Sequence, residues 1–321
     1  MYKDLEEETT AEPPQRTLVK SISVGAFAIR FAKVWPGGNT TALVRTRVPR
    51  SLYSEIARTI LQQDKSIEQV GFIESPSSPR ALIRLQMMGG EFCGNATRSI
   101  AYFLYESLQK QNGNAPKQFM VEVSGSDQLI PCSIEDKCVE IGLPVDHYTS
   151  DLFRTCKDGT LVKLDGIQHF VTDFPAFAAF QPGFLKLRAH YILRHEGLLR
   201  NDILAAGVIF MQKMKEGIKL HPVIWVQETG TFIYETSCAS GTLAVALHMA
   251  RDVKEGKEVN SLMQPSGMSL RTTVTKKDGK FSKVLICGEV ETKESNIIYF
   301  TAPQHARDIF SQRLSFNTVL I

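Results

Sequence analysis

Two short stretches carry the side chains best suited to chemistry. "EFCGNATRSIAYFL" (91–104) sets Cys93 directly before a Gly-Asn pair and a run with helical spacing, and "TSCASGTLAVALHM" (236–249) sets Cys238 before Ala-Ser-Gly and a second such run. Laid over one another on their cysteines, Thr97 falls on Thr242 and Ile100-Ala101 on Val245-Ala246. A single cysteine reads as a small buried hydrophobe. Two with the same placement and the same small-residue sequel read as a pair. The start of a helix carries unpaired N–H groups and about half a positive charge, so it lowers a thiol's pKa and attracts anions. Gly94-Asn95 and Ala239-Ser240 are small enough for a ligand to lie against those amides.

If the two helix starts face each other, they grip a carboxylate from both sides and the thiols flank the carbon beside it. That geometry suits inversion at the α-carbon of an amino acid. The carbanion left by proton removal spreads its charge into the carboxylate, which oriented amides stabilise. A thiolate on one face takes the proton, a thiol on the other supplies one, and a pKa of about 8.5 lets both forms of cysteine coexist near neutrality.

Composition narrows the setting. A chain of 321 residues can bury a sizeable core and suggests two domains. With a net charge of +3 and scattered basic residues it shows no nucleic-acid footprint. "FPAFAAFQPGF" (174–184), the longest apolar candidate, is too short and proline-broken to span a membrane. "SISVGAFAI" (21–29) follows an acidic leader and runs into Arg30 without a cleavage site. The expectation is a cytoplasmic protein whose partner is a small molecule, not nucleic acid or membrane. Six cysteines and seven histidines show neither a C-x-x-C nor metal-ligand spacing. Reduced thiols are expected, with no disulfide scaffold, metal or cofactor. Cys132, Cys138, Cys156 and Cys287 lie in strand-like or loop text with no helix following, and read as packing thiols.

The elements that must position the pair follow from periodicity. Strands are predicted over 27–35, 42–49, 69–74, 81–88, 118–125, 138–144, 168–174, 205–214, 221–228, 269–275 and 283–290. Helical spacing covers 51–63 with Ser51 as N-cap, 96–110, about 183–199, and 241–253. Residues 1–17 read as a disordered acidic leader, and "LPVDHYTSD" (143–151) has the composition of an interdomain crossing. An α+β chain of two similar halves is the economical reading.

"FCGNATRS" and "ETSCASGTLAV" resemble the two signature segments of the diaminopimelate epimerase-like superfamily, the cofactor-independent two-cysteine racemases. "GGNTTALV" (37–44), "IEQVGFIE" (67–74), "GIQHF" (166–170) and "GVIFMQ" (207–212) resemble, in order, its substrate loop, its Asp-Gln strand, its histidine turn and a strand ending near the second site. The resemblance implies two pseudo-symmetric lobes, each a β-barrel-like sheet around a central helix, with the active site between them. It implies an N-terminal lobe of 18–148 carrying Cys93, completed by about 297–321, a C-terminal lobe of 149–296 carrying Cys238, and a plausible homodimer. Carried over by position, Cys93 and Cys238 are the acid/base pair, and Gly94, Asn95, Ala239 and Ser240 the carboxylate grip. Asn39 and Gln69 touch the substrate. His169 is an auxiliary polar group, and Glu68 and Glu235 are acids able to orient a thiol or pair with the substrate amine.

One departure is informative. Diaminopimelate epimerases hold the distal carboxylate with two asparagines and an arginine, where this chain has Ile167, Gly207 and Thr229. A buried carboxylate would be badly served there. "GGEFCGNAT" (89–97), "EQVGFIES" (68–75) and "SCASGT" (237–242) instead resemble the histidine racemases that supply D-histidine for opine-type metallophores. Diaminopimelate epimerisation and proline-racemase-like chemistry are the alternatives within the fold. An anion- or amino-acid-binding protein is the alternative outside enzymology.

Overall fold

The computed structural model describes residues 26–143, 150–175, 181–227 and 230–301. The acidic leader, most of the crossing segment and residues 302–321 lie outside them. Among the described residues the chain is a mixed α+β structure, with seventeen strands in one hydrogen-bonded sheet and four α-helices: α1 (Tyr53–Gln63), α2 (Gly94–Asn112), α3 (Pro182–His195) and α4 (Ala239–Ala250). None of these helices is long and apolar enough to cross a membrane.

α2 and α4 are internal. The first eleven residues of α2, Gly94 to Leu104, are all buried, as are the first nine of α4, Ala239 to Leu247. A helix buried on every side must be apolar on every side or satisfy each polar group internally. α4 follows the first course; α2 follows the second only in part, carrying Arg98 into the interior with Nη2 bonded and Nε and Nη1 without a hydrogen-bond partner. α2 packs against strands Thr41–Val44, Ala81–Met87, Gln118–Val123, Ile130–Glu135 and Cys138–Leu143. α4 packs against Gly159–Leu164, Ile167–Asp173, Ala205–Met214, Ser269–Lys277 and Lys280–Glu289. One continuous core joins them, with Ala96, Ile100 and Phe103 of α2 in the same cluster as Leu243, Ala244 and Leu247 of α4.

Two long-range pairings stitch the sheet. Cys138–Leu143 runs antiparallel to Lys280–Glu289 with Ile141 opposite Ile286. Ala26–Trp35 runs antiparallel to Glu291–Thr301 with Ala26 opposite Thr301, and on its other edge pairs with Thr41–Val44.

Several predicted boundaries need correction: α4 ends at Ala250, short of residue 253, and the strand predicted from residue 221 begins at Gly217. Ser51 is not a helix cap: Arg50–Leu52 form a 3-10 turn, and α1 starts at Tyr53 behind Leu52, with no side-chain cap. α3 stops at His195, short of residue 199, because Gly197 takes φ 70° and Leu198 N–H turns back to the carbonyl of Leu193 at 2.8 Å. The strand predicted over 42–49 ends at Val44. Strands Ile130–Glu135, Phe153–Cys156, Gly159–Leu164, Thr231–Tyr234, Gly256–Met263 and Glu291–Thr301 were absent from the prediction. Gly256–Met263 and Glu291–Thr301 carry charged and polar residues on an outward face, which dilutes the apolar alternation.

Candidate active site

Each cysteine is the N-cap of its helix. Cys93 (φ −130°, ψ 107°) caps α2 and accepts a hydrogen bond from Ala96 N–H at 3.4 Å; Cys238 (φ −134°, ψ 103°) caps α4 and accepts one from Gly241 N–H at 3.4 Å. The threonines that superposed in the sequence do the same work in both copies. Thr97 Oγ1 donates to the Cys93 carbonyl at 2.8 Å, and Thr242 Oγ1 to the Cys238 carbonyl at 2.6 Å. The helix starts touch, since a Cβ added at Gly94 would come within 2.8 Å of Ala239 Cβ.

Asn39, Gln69, Cys93, Gly94, Asn95, Ile167, Glu235, Cys238, Ala239 and Ser240 line one cavity of about 40 Å³, together with Glu91, Phe92, Ala205, Ile224 and Val226. The structure therefore brings together every primary candidate. A space of this size holds a few waters at most, so an amino acid enters only when the walls move. The first-turn amides of both helices have no intrahelical carbonyl acceptor, and those of Ala96 and Gly241 are directed at the cap sulfurs.

The two thiols differ in their neighbours. Cys93 Sγ donates to Gln69 Oε1 at 3.0 Å, and Gln69 Nε2 is held by Thr41 Oγ1 at 2.7 Å and the Asn39 carbonyl at 3.2 Å. Burial raises the Cys93 thiol to about 12, with the charge of Glu235 adding to it and the helix amides of Ala96 and Asn95 opposing. Burial and then Glu235 push Cys238 well above the ordinary thiol value. Desolvation thus outweighs the helix terminus at both sulfurs, and both rest as thiols. Glu235 is raised to about 8, first by burial, with Glu68 and Glu91 adding repulsion and hydrogen bonds from Cys238 and Asn39 opposing. A carboxyl poised near neutrality and bonded to a thiol can take that thiol's proton.

The auxiliary residues separate by position. Glu68 sits outside the lining and accepts Thr236 Oγ1 at 2.7 Å and Thr40 N–H at 3.2 Å. Thr236 Oγ1 in turn accepts Asn39 N–H at 2.7 Å, where Asn39 holds a left-handed φ of 55°. Of the two acids the sequence left open, Glu235 contacts the thiol and Glu68 braces the loop. His169 is fully buried behind the wall, with Nε2 2.9 Å from Ser240 Oγ, which lies 3.6 Å from Cys238 Sγ. Burial lowers His169 to about 3, so the ring is neutral. A Cβ at Gly207 would lie 2.6 Å from His169 Nδ1, so this departure from the diaminopimelate pattern makes room for the ring. Thr229 lies outside the described residues.

Sequence reasoning missed Arg98 and Gln264. Arg98 is fully buried without a carboxylate partner; its Nη2 donates to Asn95 Oδ1 and to the Pro36 carbonyl, both at 2.8 Å. Asn95 Nδ2 then donates to the Ser237 carbonyl at 2.8 Å, so one chain of bonds ties the Asn39 loop, α2 and the approach to α4. Burial lowers Arg98 to about 10, which leaves it charged at neutral pH. Gln264 Oε1 accepts Cys238 N–H at 3.0 Å and fixes the second cap. An arginine inside "NATRSIAYFL", a run too apolar for a surface helix, was the available signal for Arg98. Among the described residues, no group of three or more His, Cys, Asp or Glu could hold a metal.

This architecture is shared with racemases and epimerases of known structure. A hydroxyproline epimerase from Agrobacterium vitis, solved with bound trans-4-hydroxy-L-proline, superposes with a TM-score of 0.60 at 14% identity, covering 89% of this chain and 95% of its own. A probable proline racemase from Agrobacterium radiobacter superposes at 0.62 and 14% identity, covering 87% and 95%. These likenesses define the fold. The family model described as the histidine racemase CntK N-terminal domain matches residues 28–299, and the chain belongs to that family. It is an isomerase, an amino-acid racemase. The histidine racemase of Staphylococcus aureus is 28% identical over 248 residues, 76% of this chain and 88% of the relative. That of Fusobacterium nucleatum is 28% identical over 257 residues, 74% and 86% respectively.

Proposed function

We propose that the chain interconverts L- and D-histidine by a two-base mechanism at Cys93 and Cys238, without pyridoxal phosphate or metal. The observation that carries this reading is the matched pair of N-cap thiols opening on one cavity, with helix starts in van der Waals contact. The substrate carboxylate lies against the amides of Gly94, Asn95, Ala239 and Ser240, which stabilise the charge that develops on it. Glu235, which holds a proton up to about pH 8, takes the Cys238 proton in its ionised form. The Cys238 thiolate removes the α-proton of one enantiomer, and the Cys93 thiol, oriented by Gln69, delivers its proton to the opposite face. For the other enantiomer the two sulfurs exchange roles.

Histidine is favoured over diaminopimelate because Ile167, Ala205, Ile224 and Val226 give the cavity apolar walls and, among the described residues, its lining offers no cation to a second carboxylate. The lobes of this reading are two β-barrel-like halves, 18–148 with about 297–321 and 149–296, each around its own buried helix. Resemblance further supports a homodimer and a role supplying D-histidine to opine-type metallophores. A cytoplasmic setting is supported by the six free thiols.

The test is incubation of purified protein with single L-amino acids in D₂O, followed by NMR loss of the α-proton. Exchange with L-histidine and none with diaminopimelate or L-proline is expected. Absence of exchange with any amino acid overturns the racemase mechanism. Cys93→Ser and Cys238→Ser each lower turnover by on the order of 10³-fold or more if the sulfurs move the protons. A protein that only binds the amino acid keeps its affinity in both variants and never exchanges.

A further inference from the structure

On the two-thiol reading above, we infer that Arg98 is a positioning residue of the site: one buried guanidinium orders the supports of both thiols and offsets the negative charge that forms between the two caps. Asn95 lines the cavity and Arg98 does not, so the guanidinium stands one residue behind the wall. Its Nη2 donates to Asn95 Oδ1 and to the Pro36 carbonyl, and each bond leads to one sulfur. Pro36 opens the loop whose Gly37 carbonyl accepts Ser266 Oγ at 2.6 Å and whose Asn39 carbonyl holds Gln69, the partner of Cys93. Asn95 Nδ2 donates to the carbonyl of Ser237, the residue before Cys238.

Room for the group is built from the far half of the chain. A Cβ added at Gly288, in the strand Lys280–Glu289, would lie 2.8 Å from Arg98 Nη1 and 3.5 Å from its Cζ. Glycine there lets the sheet close over the guanidinium without displacing it. No carboxylate pairs with Arg98 among the described residues, and its Nε and Nη1 have no hydrogen-bond partner. A cation buried in that way weakens the fold that carries it.

The chemistry supplies what the resting interior lacks. Cys287, Cys93 and Cys138 are the groups whose charge acts on Arg98, and Cys93 is the one among them that lines the cavity. Burial keeps Cys93 and Cys287 protonated at rest. The positive charge gains its match when a cap becomes a thiolate and the carbanion's charge spreads into the substrate carboxylate. A charge fixed in place before the reaction favours states in which negative charge has developed, and needs no reorganisation to do so. Arg98 thus lowers stability and raises rate.

Arg98→Met keeps much of the bulk and removes the charge. L-Histidine is a zwitterion without net charge, so kcat for exchange in D₂O should fall on the order of 100-fold while KM stays within about threefold. The urea midpoint of this variant should hold or rise, because an apolar side chain in place of an unmatched buried charge is often neutral or stabilising. A residue needed only for folding would lower the midpoint and leave kcat per folded molecule unchanged. Arg98→Lys keeps the charge without the planar fork and should exchange about tenfold faster than Arg98→Met. In the unaltered protein, the NMR resonance of Arg98 Nε, assigned by its absence from Arg98→Lys, should shift when L-histidine saturates the site, since Asn95 joins the two. Unchanged kcat per folded molecule in Arg98→Met, no gain in Arg98→Lys, or a resonance that does not respond to the ligand overturns the assignment and leaves the racemase intact. If Arg98→Met does not fold, the resonance decides. An amino acid other than histidine that exchanges takes its place in each measurement. Failure of the unaltered protein to exchange any amino acid overturns the two-thiol reading itself, and the assignment with it.

Discussion

Glu235 is the residue whose titration the whole protein should report. Its carboxyl is raised from an ordinary 4.5 to about 8 in the folded chain, so between those values the folded state holds a proton that the unfolded state has released. The stability tied to that proton is complete below the ordinary carboxyl value and is lost as pH climbs through about 8. Urea midpoints measured from about pH 7 to about pH 9 should therefore fall, and Glu235→Gln, which cannot lose a proton, should flatten the fall. His169 gives the opposite arm: held neutral with a folded value near 3, it withdraws stability as pH drops below its ordinary 6.5. At this scale the sequence showed the two cysteines clearly, because they recur in a repeated frame. It could not rank Glu68 against Glu235, since both lie one step from a motif and only the fold decides which carboxyl meets a sulfur. Nor could it show that Asn95's side chain is committed to Ser237 and Arg98.

Helices α2 and α4 meet end to end with almost no slack. Gly94→Ala would place a methyl 2.8 Å from Ala239 Cβ, a contact that forces the two caps apart. Overpacking of this kind costs about 1–3 kcal/mol. The expected outcome is a lowered denaturation midpoint together with a lowered exchange rate, because the same displacement separates the two sulfurs. Restoring the space with Ala239→Gly in the double variant should recover part of both. These two helices were legible from periodicity and from the small residues at their starts. α1 was legible only in its body: Ser51 looked like a cap, yet a 3-10 turn carries the chain past it before the helix begins. Gly256–Met263 escaped prediction because a strand whose outer face reads Lys257, Val259 and Ser261 lacks the strict alternation that marks a half-buried edge.

The two internal helices share one central cluster, flanked by a second around α1 and a third around α3. Side chains of both internal helices belong to one cluster, and Cys138–Leu143 is hydrogen-bonded to Lys280–Glu289 from the far half of the chain. Unfolding should then be one cooperative transition. The chain's two tryptophans, Trp35 and Trp225, lie in different halves and serve as local probes. Single-tryptophan variants retaining one or the other should give coincident urea curves, and Ile141→Ala should shift both together by about 2–5 kcal/mol with no change in slope. Curves that separate would mean that each half melts by itself.

The pairing of Ala26–Trp35 with Glu291–Thr301 has a consequence for how the protein is made. A ribosome releases the first of these strands early and its partner only after nearly all the remaining described residues have been synthesised. Until then the edge of Ala26–Trp35 destined for that partner has nothing to bond, and contacts of such long sequence separation form slowly. Vectorial synthesis thus leaves the sheet beside Thr41–Val44 unfinished for most of translation. The nascent chain carries an open strand edge through that interval, the period in which a holding chaperone would matter most.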